Sequence, residues 1–328
     1  MNGAIVRRCA GAFTGAMLVA LSLVTGARAT TVRSAAPAAH GAISLQGAFT
    51  VSHQAVTVSG RSVQFRGVVR PYAAGQHTTV RVYLGRKVIK LERLRIKRSP
   101  GGSYGYFGDH IASPGVGSVT IIALHSKTSA LGAFRIWTGF AALSQSAGYG
   151  SSGRFVQLVQ QRLAALHFYI PQTGVYDSGT ALALDAYHRL LTWGTSLSLD
   201  SRTVTWLLNG WGAFKIRYPR DGKHAEGNLS NQLLALIDRG QVRAIYPISS
   251  GKPSTPTILG RFRVYRKQPG YLPDGMYYSA FFIGGYAIHG YNPAPDYPAS
   301  HGCMRVPIAD AISIYDWLSV GDGVDVYR

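Results

Sequence analysis

Ile288-His289-Gly290, with ten residues between His289 and the string Ser300-His301-Gly302-Cys303-Met304-Arg305, places an imidazole and a thiol in one short segment. A cysteine attacks a carbonyl as thiolate, and with a free pKa of ~8.5 it needs a base or a positive field to reach that state near neutral pH. His289 closes an apolar, strand-like run, and Asn292-Pro293-Ala294-Pro295-Asp296-Tyr297-Pro298 is loop chemistry. Such a loop returns the chain to the same edge of a sheet, where thiol and imidazole come within a hydrogen-bond reach of ~3 Å. The segment thus reads as a nucleophile, Cys303, and a base, His289, carried on strands. Gly290 and Gly302 leave room for a substrate, and backbone N–H groups around His301 to Cys303 are candidates for an oxyanion hole. Arg305 adds positive potential or holds a substrate carboxylate. His301 shapes that loop, touches the acyl donor, or serves packing alone.

Outward from this segment, residues 242–249, 261–265, 280–283, 286–289 and 324–327 are strand-like. Pro307 stands at a first-turn position, and Ile308, Ala311, Ile312, Tyr315 and Leu318 follow at helical spacing before Gly321. A mainly β domain with one late helix is expected over 227–328.

At the other end, Arg7 and Arg8, an apolar run over 10–24 and the small-x-small Ala27-Arg28-Ala29 have the organisation of a cleaved export signal, residues 1–29, with the mature chain starting at Thr30. An uncleaved anchor is the competing reading, against which the run falls short of the ~20 apolar residues of a spanning helix. Cys9 would leave with the signal, so Cys303 remains alone in an oxidising compartment, where structural pairing within one chain is impossible.

The formal charge is +20, and residues 30–140 hold fourteen Lys and Arg against Glu92 and Asp109. That field favours anionic wall polymers or lipid headgroups over nucleic acid in an exported protein; a solvated basic surface is the bland alternative. Composition breaks divide the chain into a linker at 30–43, a module at 44–138, a Gly/Ser linker at 139–152, a module at 153–209 and a linker at 210–226. In the first module, apolar residues alternate (Val63, Phe65, Val69; Val80, Val82; Val119, Ile121), which predicts a β-sandwich with Arg81, Arg93, Arg95 and Lys97 outward. It resembles the immunoglobulin-like domains of exported bacterial proteins. The second module turns to helical period, with Phe155, Leu158, Val159, Leu163 and Leu166 on one stripe and Asp177 and Asp200 as N-caps, predicting a small three-helix bundle. Gln160, Leu163, Gly174-Val175-Tyr176-Asp177, Thr180 and Ala183-Leu184 resemble a peptidoglycan-binding-like domain. Leu166-His167-Phe168 and Tyr187-His188 depart from that pattern's Leu-Gly-Tyr and Phe-Gln.

The C-terminal string with His289-Gly290 resembles the signature of L,D-transpeptidases of the YkuD type. Gly251-Lys252, Thr255-Pro256-Thr257 and Gly260-Arg261-Phe262 resemble that family's earlier block, and Met276-Tyr277-Tyr278 its substrate-cleft strand. Two departures are the short loop between His289 and Ser300 and the insertion of Ile258-Leu259. The resemblance implies a YkuD-type fold and a secreted, wall-directed enzyme of cell-wall biogenesis. In that chemistry, Cys303 takes the acyl group of a peptidoglycan tetrapeptide stem at its position-three diamino acid, expels the terminal D-Ala and passes the acyl group to a second stem as a 3→3 crosslink. His289 is then the base, with a backbone carbonyl orienting it; Gly290, His301 and Gly302 belong to the catalytic loop, and Ser300, Arg305 and Tyr278 to substrate binding. No cofactor, metal, nucleic acid or transmembrane partner is implied.

Rival readings are a zinc site built from His289, His301 and Cys303, an L,D-carboxypeptidase or cysteine peptidase that gives the thioester to water, and a non-catalytic wall-binding protein. Zinc takes three or four ligands, and neither a His-x-x-x-His nor a Cys pair is present. Tyr278 has an equal reading as a core-strand residue.

Overall fold

The computed structural model describes residues 35–328 and is mainly β. The expected export signal, with Arg7, Arg8, Cys9 and the Ala27-Arg28-Ala29 site, lies outside the described residues. Among the described residues, no helix is long and apolar enough to cross a membrane.

Ten strands come first: β1 (His40–Gln46), β2 (Phe49–Val51), β3 (Gln54–Val58), β4 (Ser62–Arg70), β5 (His77–Leu84), β6 (Lys87–Arg95), β7 (Lys97–Arg98), β8 (Gly105–Ala112), β9 (Gly117–His125) and β10 (Phe134–Leu143). They form a four-stranded sheet, β1-β4-β8-β7, and a six-stranded sheet, β2-β3-β10-β9-β5-β6. The alternating residues Val63, Phe65 and Phe107 of the first meet Val80, Val82, Val119 and Ile121 of the second in one core. Arg81, Arg93, Arg95 and Lys97 are exposed, as strand alternation requires. β10 runs past the expected break at 138, because Phe140, Ala142 and Leu143 are buried and hold the chain in the sheet.

Three helices follow, α1 (Arg154–Ala165), α2 (Ser178–Leu190) and α3 (Ser201–Asn209). Asp177 accepts from the Thr180 N–H and Asp200 from the Thr203 N–H, so both expected N-caps are made, and Gly210 ends α3 in the left-handed region at φ +71°. Buried Gln160 locks the turn before α2, donating to Thr180 Oγ1 and the Val175 carbonyl, each at 2.9 Å, while accepting from the Gly174 N–H. His167 occupies φ +70°, the conformation that a glycine adopts freely.

The last third contains β11 (His224–Asn228), β12 (Leu233–Asp238), β13 (Gln241–Pro247), β14 (Gly260–Arg263), β15 (Arg266–Tyr271), β16 (Tyr277–Ile283), β17 (Tyr286–Gly290), β18 (Met304–Val306), α4 (Ile308–Trp317) and β19 (Gly323–Tyr327). One sheet runs β13-β12-β11-β19-β14 and the other β15-β16-β17-β18. β12 explains how the helices are fastened here. Leu233, Ala235 and Ile237 face the core shared with Leu163, Leu184 and Leu207 of the helices, whereas Leu234 and Leu236 face the core of the sheets and α4. A strand buried on both faces reads as a continuous apolar run, Leu233-Leu234-Ala235-Leu236-Ile237, and carries no period of two. Tyr169 N–H donates to the Ile245 carbonyl at 3.0 Å and Ile245 N–H to the His167 carbonyl at 2.8 Å, so the chain after α1 adds its own rung to this sheet.

Candidate active site

β17 and β18 pair in parallel, with Ile288 opposite Met304, His289 opposite Arg305 and Gly290 opposite Val306. Alternation then puts Ala287, His289, Cys303 and Arg305 on one face and Ile288, Gly290 and Met304 on the other. The second face packs on α4: a Cβ on Gly290 would lie 2.7 Å from Ala311 Cβ. On the first face, Cys303 packs against a small cluster of Met276, Phe281 and Ala287.

The thiol sits in a defined polar setting. Ala287 N–H donates to Cys303 Sγ at 3.4 Å, and Sγ donates to the Gly285 carbonyl at 3.7 Å. Burial pushes the thiol pKa up, against the Ala287 N–H and the Arg305 charge, which pull it down. His289 is 2% exposed, and burial drives its pKa down to about 4, with the Arg305 charge acting in the same direction. Its Nδ1 lies 2.9 Å from the Gly290 carbonyl, which can only accept, so the proton is on Nδ1 and the Nε2 lone pair is open. Both shifts favour the uncharged thiol and the uncharged imidazole, and no hydrogen bond joins the two side chains.

The loop before Cys303 is stapled by Ser300. Its buried hydroxyl donates to the Cys303 carbonyl at 2.6 Å and accepts from the Gly302 N–H at 3.0 Å. Gly302 N–H is therefore committed, and the N–H groups of His301 and Cys303 are the ones left without a protein acceptor. Ser300, expected at the substrate, is wholly buried here, with its hydroxyl engaged within the loop. Gly302 takes φ +120° against the ring of Tyr286. The earlier sequence block forms the bed of this loop: Lys252 N–H and Thr255 Oγ1 donate to the Ser300 carbonyl at 3.0 and 3.1 Å, and the Ser300 and Ala299 N–H groups donate to the Ser250 carbonyl. Gly251 is required there, since a Cβ would lie 2.3 Å from the Thr255 carbonyl oxygen.

Arg305 lies with its guanidinium 3.9 Å from the centre of the Tyr291 ring, and Tyr291 stands edge-on to His289 at 5.8 Å. His301 is exposed, with Nε2 3.2 Å from Lys252 Nζ. Tyr278 is not brought to the thiol. It sits at a bulge with φ +48° and packs edge-on against Tyr315 of α4, on the opposite side of the sheet from Cys303. The bulge between Tyr277 and Ala280 breaks the period of two, which is why counting along the strand misplaces it. Met276 and Leu272 stand on the thiol side in its place, together with Tyr291, whose ring lies against His289 and Arg305. Their only sequence signal is adjacency to the motif strand and to His289.

A family model described as the L,D-transpeptidase catalytic domain, YkuD, matches residues 222–326. Among solved structures, the L,D-transpeptidase (residues 123–326) from Xylanimonas cellulosilytica DSM 15894 is 30% identical, with 56% of this chain and 98% of that chain covered at a TM-score of 0.52. An L,D-transpeptidase from Stackebrandtia nassauensis is 20% identical over 56% of this chain and 96% of its own, at a TM-score of 0.36. The catalytic domain of an E. faecium L,D-transpeptidase is 27% identical over 33% of this chain and 98% of its own, at 0.30. No curated protein matches the chain. With a YkuD catalytic domain over 222–326 and a 30% identical relative spanned almost end to end, this chain belongs to the L,D-transpeptidase family.

Proposed function

We propose that the chain is an exported peptidoglycan L,D-transpeptidase that forms 3→3 crosslinks through a thioester on Cys303. The observation that carries this reading is the shared sheet face of Cys303 and His289, with Nδ1 engaged by the Gly290 carbonyl and Nε2 open. Because the resting pair is uncharged, the thiol proton passes to His289 Nε2 as Sγ bonds to the carbonyl carbon of the position-three diamino acid. The oxyanion is met by the N–H groups of Cys303 and His301. Collapse breaks the C–N bond to the terminal D-Ala, whose amine leaves with the proton from His289. The side-chain amine of a second stem then attacks the thioester, His289 takes its proton, and the C–S bond breaks to return the thiol. Arg305 stabilises negative charge on sulfur, and Ser300 holds the loop in register.

The strand module, read as immunoglobulin-like, and the helical module, read as peptidoglycan-binding-like, hold the catalytic domain at the wall. The basic strand module attracts anionic wall polymers. Incubation with a disaccharide-tetrapeptide tests the reaction: 3→3 dimers with release of D-Ala are expected. Tripeptide without dimer would instead assign a carboxypeptidase, and no turnover a wall-binding protein.

A further inference from the structure

The strand module contains a groove suited to one kind of anion. Among its described residues the only carboxylates are Glu92 and Asp109, and Lys90 holds both. Arg66, Arg95 and Lys97 form no ion pair and are exposed around a groove of about 450 Å³. Strand register explains its course. Gln46 lies opposite Gln64 on β1 and β4, Arg66 opposite Gly108 on β4 and β8, and Lys97 opposite Tyr106 on β7 and β8, so the lining crosses the sheet on a diagonal. Gly108 keeps the middle open beside Arg66, and a Cβ there would lie 2.4 Å from the Phe65 carbonyl oxygen. The Arg66 guanidinium is held 5.1 Å from the Tyr106 ring centre, which orders it without neutralising it.

We propose that this groove binds a linear polymer of phosphodiester-linked polyols, an inference that rests on the reading of the strand module as the part attracted to anionic wall polymers. Four strands at ~4.8 Å spacing make a track longer than a single phosphate. Guanidinium groups match phosphate with paired N–H donors, while the Gln46 and Gln64 amides and the Tyr106 ring suit the hydroxylated carbon units between phosphates. A bilayer is the poorer match, because the charged groups line a concave groove and do not stand on a flat face.

The test is titration of the full chain with poly(glycerol phosphate) of defined length at fixed salt. The variant Arg66→Gln/Arg95→Gln/Lys97→Gln is compared with Arg81→Gln/Arg93→Gln/Arg135→Gln, which removes the same charge from residues outside the groove. The groove variant is expected to lose at least about tenfold in affinity and the control less than about threefold, charge being equal. Thermal melts check that both variants fold, and a single Arg66→Gln change, with a smaller loss, replaces the triple should it fail to fold. Equal loss in both variants would overturn the groove and leave the wall-polymer reading standing. A wild type that ignores the polymer and binds anionic phospholipid vesicles would overturn both.

Discussion

Gly302 lies so close to Tyr286 that a Cβ at position 302 would come within 1.7 Å of the ring, and its φ of +120° is closed to ordinary side chains. The residue before Cys303 is therefore fixed by a neighbour on β17, the strand that also carries His289. Gly302→Ala should abolish detectable turnover, while a Tyr286→Gly/Gly302→Ala double variant, relieved of the clash, should recover part of it. Recovery in product assays of the double variant distinguishes a steric cause from a need for backbone freedom alone.

Ser300→Ala removes the donor to the Cys303 carbonyl and the acceptor of the Gly302 N–H inside a buried loop. The expected cost is about 1–3 kcal/mol of stability, with kcat falling more than KM rises because the nucleophile loses its register. Chemical denaturation and steady-state kinetics check the two parts; an unchanged kcat would show that the loop holds its shape without this hydroxyl.

The low pKa of His289, about 4 against an ordinary 6.5, has a sign that can be tested. The folded protein favours the neutral imidazole, so this contribution to stability is complete above pH 6.5 and is lost as pH falls toward 4; by linkage it amounts to about 3 kcal/mol. In the free enzyme, kcat/KM should fall on the acid side with a midpoint near pH 4. A midpoint near 6.5 would mean that His289 is solvated in the working enzyme.

Burial raises the Cys303 thiol pKa, so alkylation by iodoacetamide should be slower at pH 7 than for a free cysteine peptide and should still be rising above pH 9. A rate already on its plateau at pH 7 would indicate a preformed thiolate–imidazolium pair.

The buried ion pair of Asp185 and Arg189 ties α2 to the catalytic sheet, since Arg189 Nη1 also donates to the carbonyls of Gln232 and Ile248 at 3.2 and 3.1 Å. Arg189→Ala strands a buried carboxylate and should cost about 3–5 kcal/mol, much of it recovered in Asp185→Leu/Arg189→Met. Denaturation followed by tryptophan fluorescence should show one transition for helices and catalytic sheets, because Leu233, Ala235 and Ile237 belong to the core that both share.

The meeting of Cys303 and His289 on one sheet face was legible from sequence, because their residue types and spacing suggested a shared site. Helix caps at Asp177 and Asp200 were legible for a local reason, since a cap acts within three residues. What escaped was set by distant partners. β11, His224-Ala225-Glu226-Gly227-Asn228, has no strand-like apolar period, because His224 and Glu226 are buried in a polar cluster with Asp325 and Tyr327 from β19. The bed beneath Ser300 and the displacement of Tyr278 depend on a bridge between Gly251 and Ser300 and on a bulge in β16, neither of which leaves a mark in the local pattern.

The most direct measurement is the intact mass of the enzyme after brief mixing with a disaccharide-tetrapeptide, for wild type and for Cys303→Ala. An adduct equal to the donor less its terminal D-Ala, cleaved by hydroxylamine and missing in the variant, is the expected result. Formation of 3→3 dimers by Cys303→Ala, or turnover by wild type with no acyl adduct on Cys303 under rapid quench, would contradict a thioester mechanism at this residue.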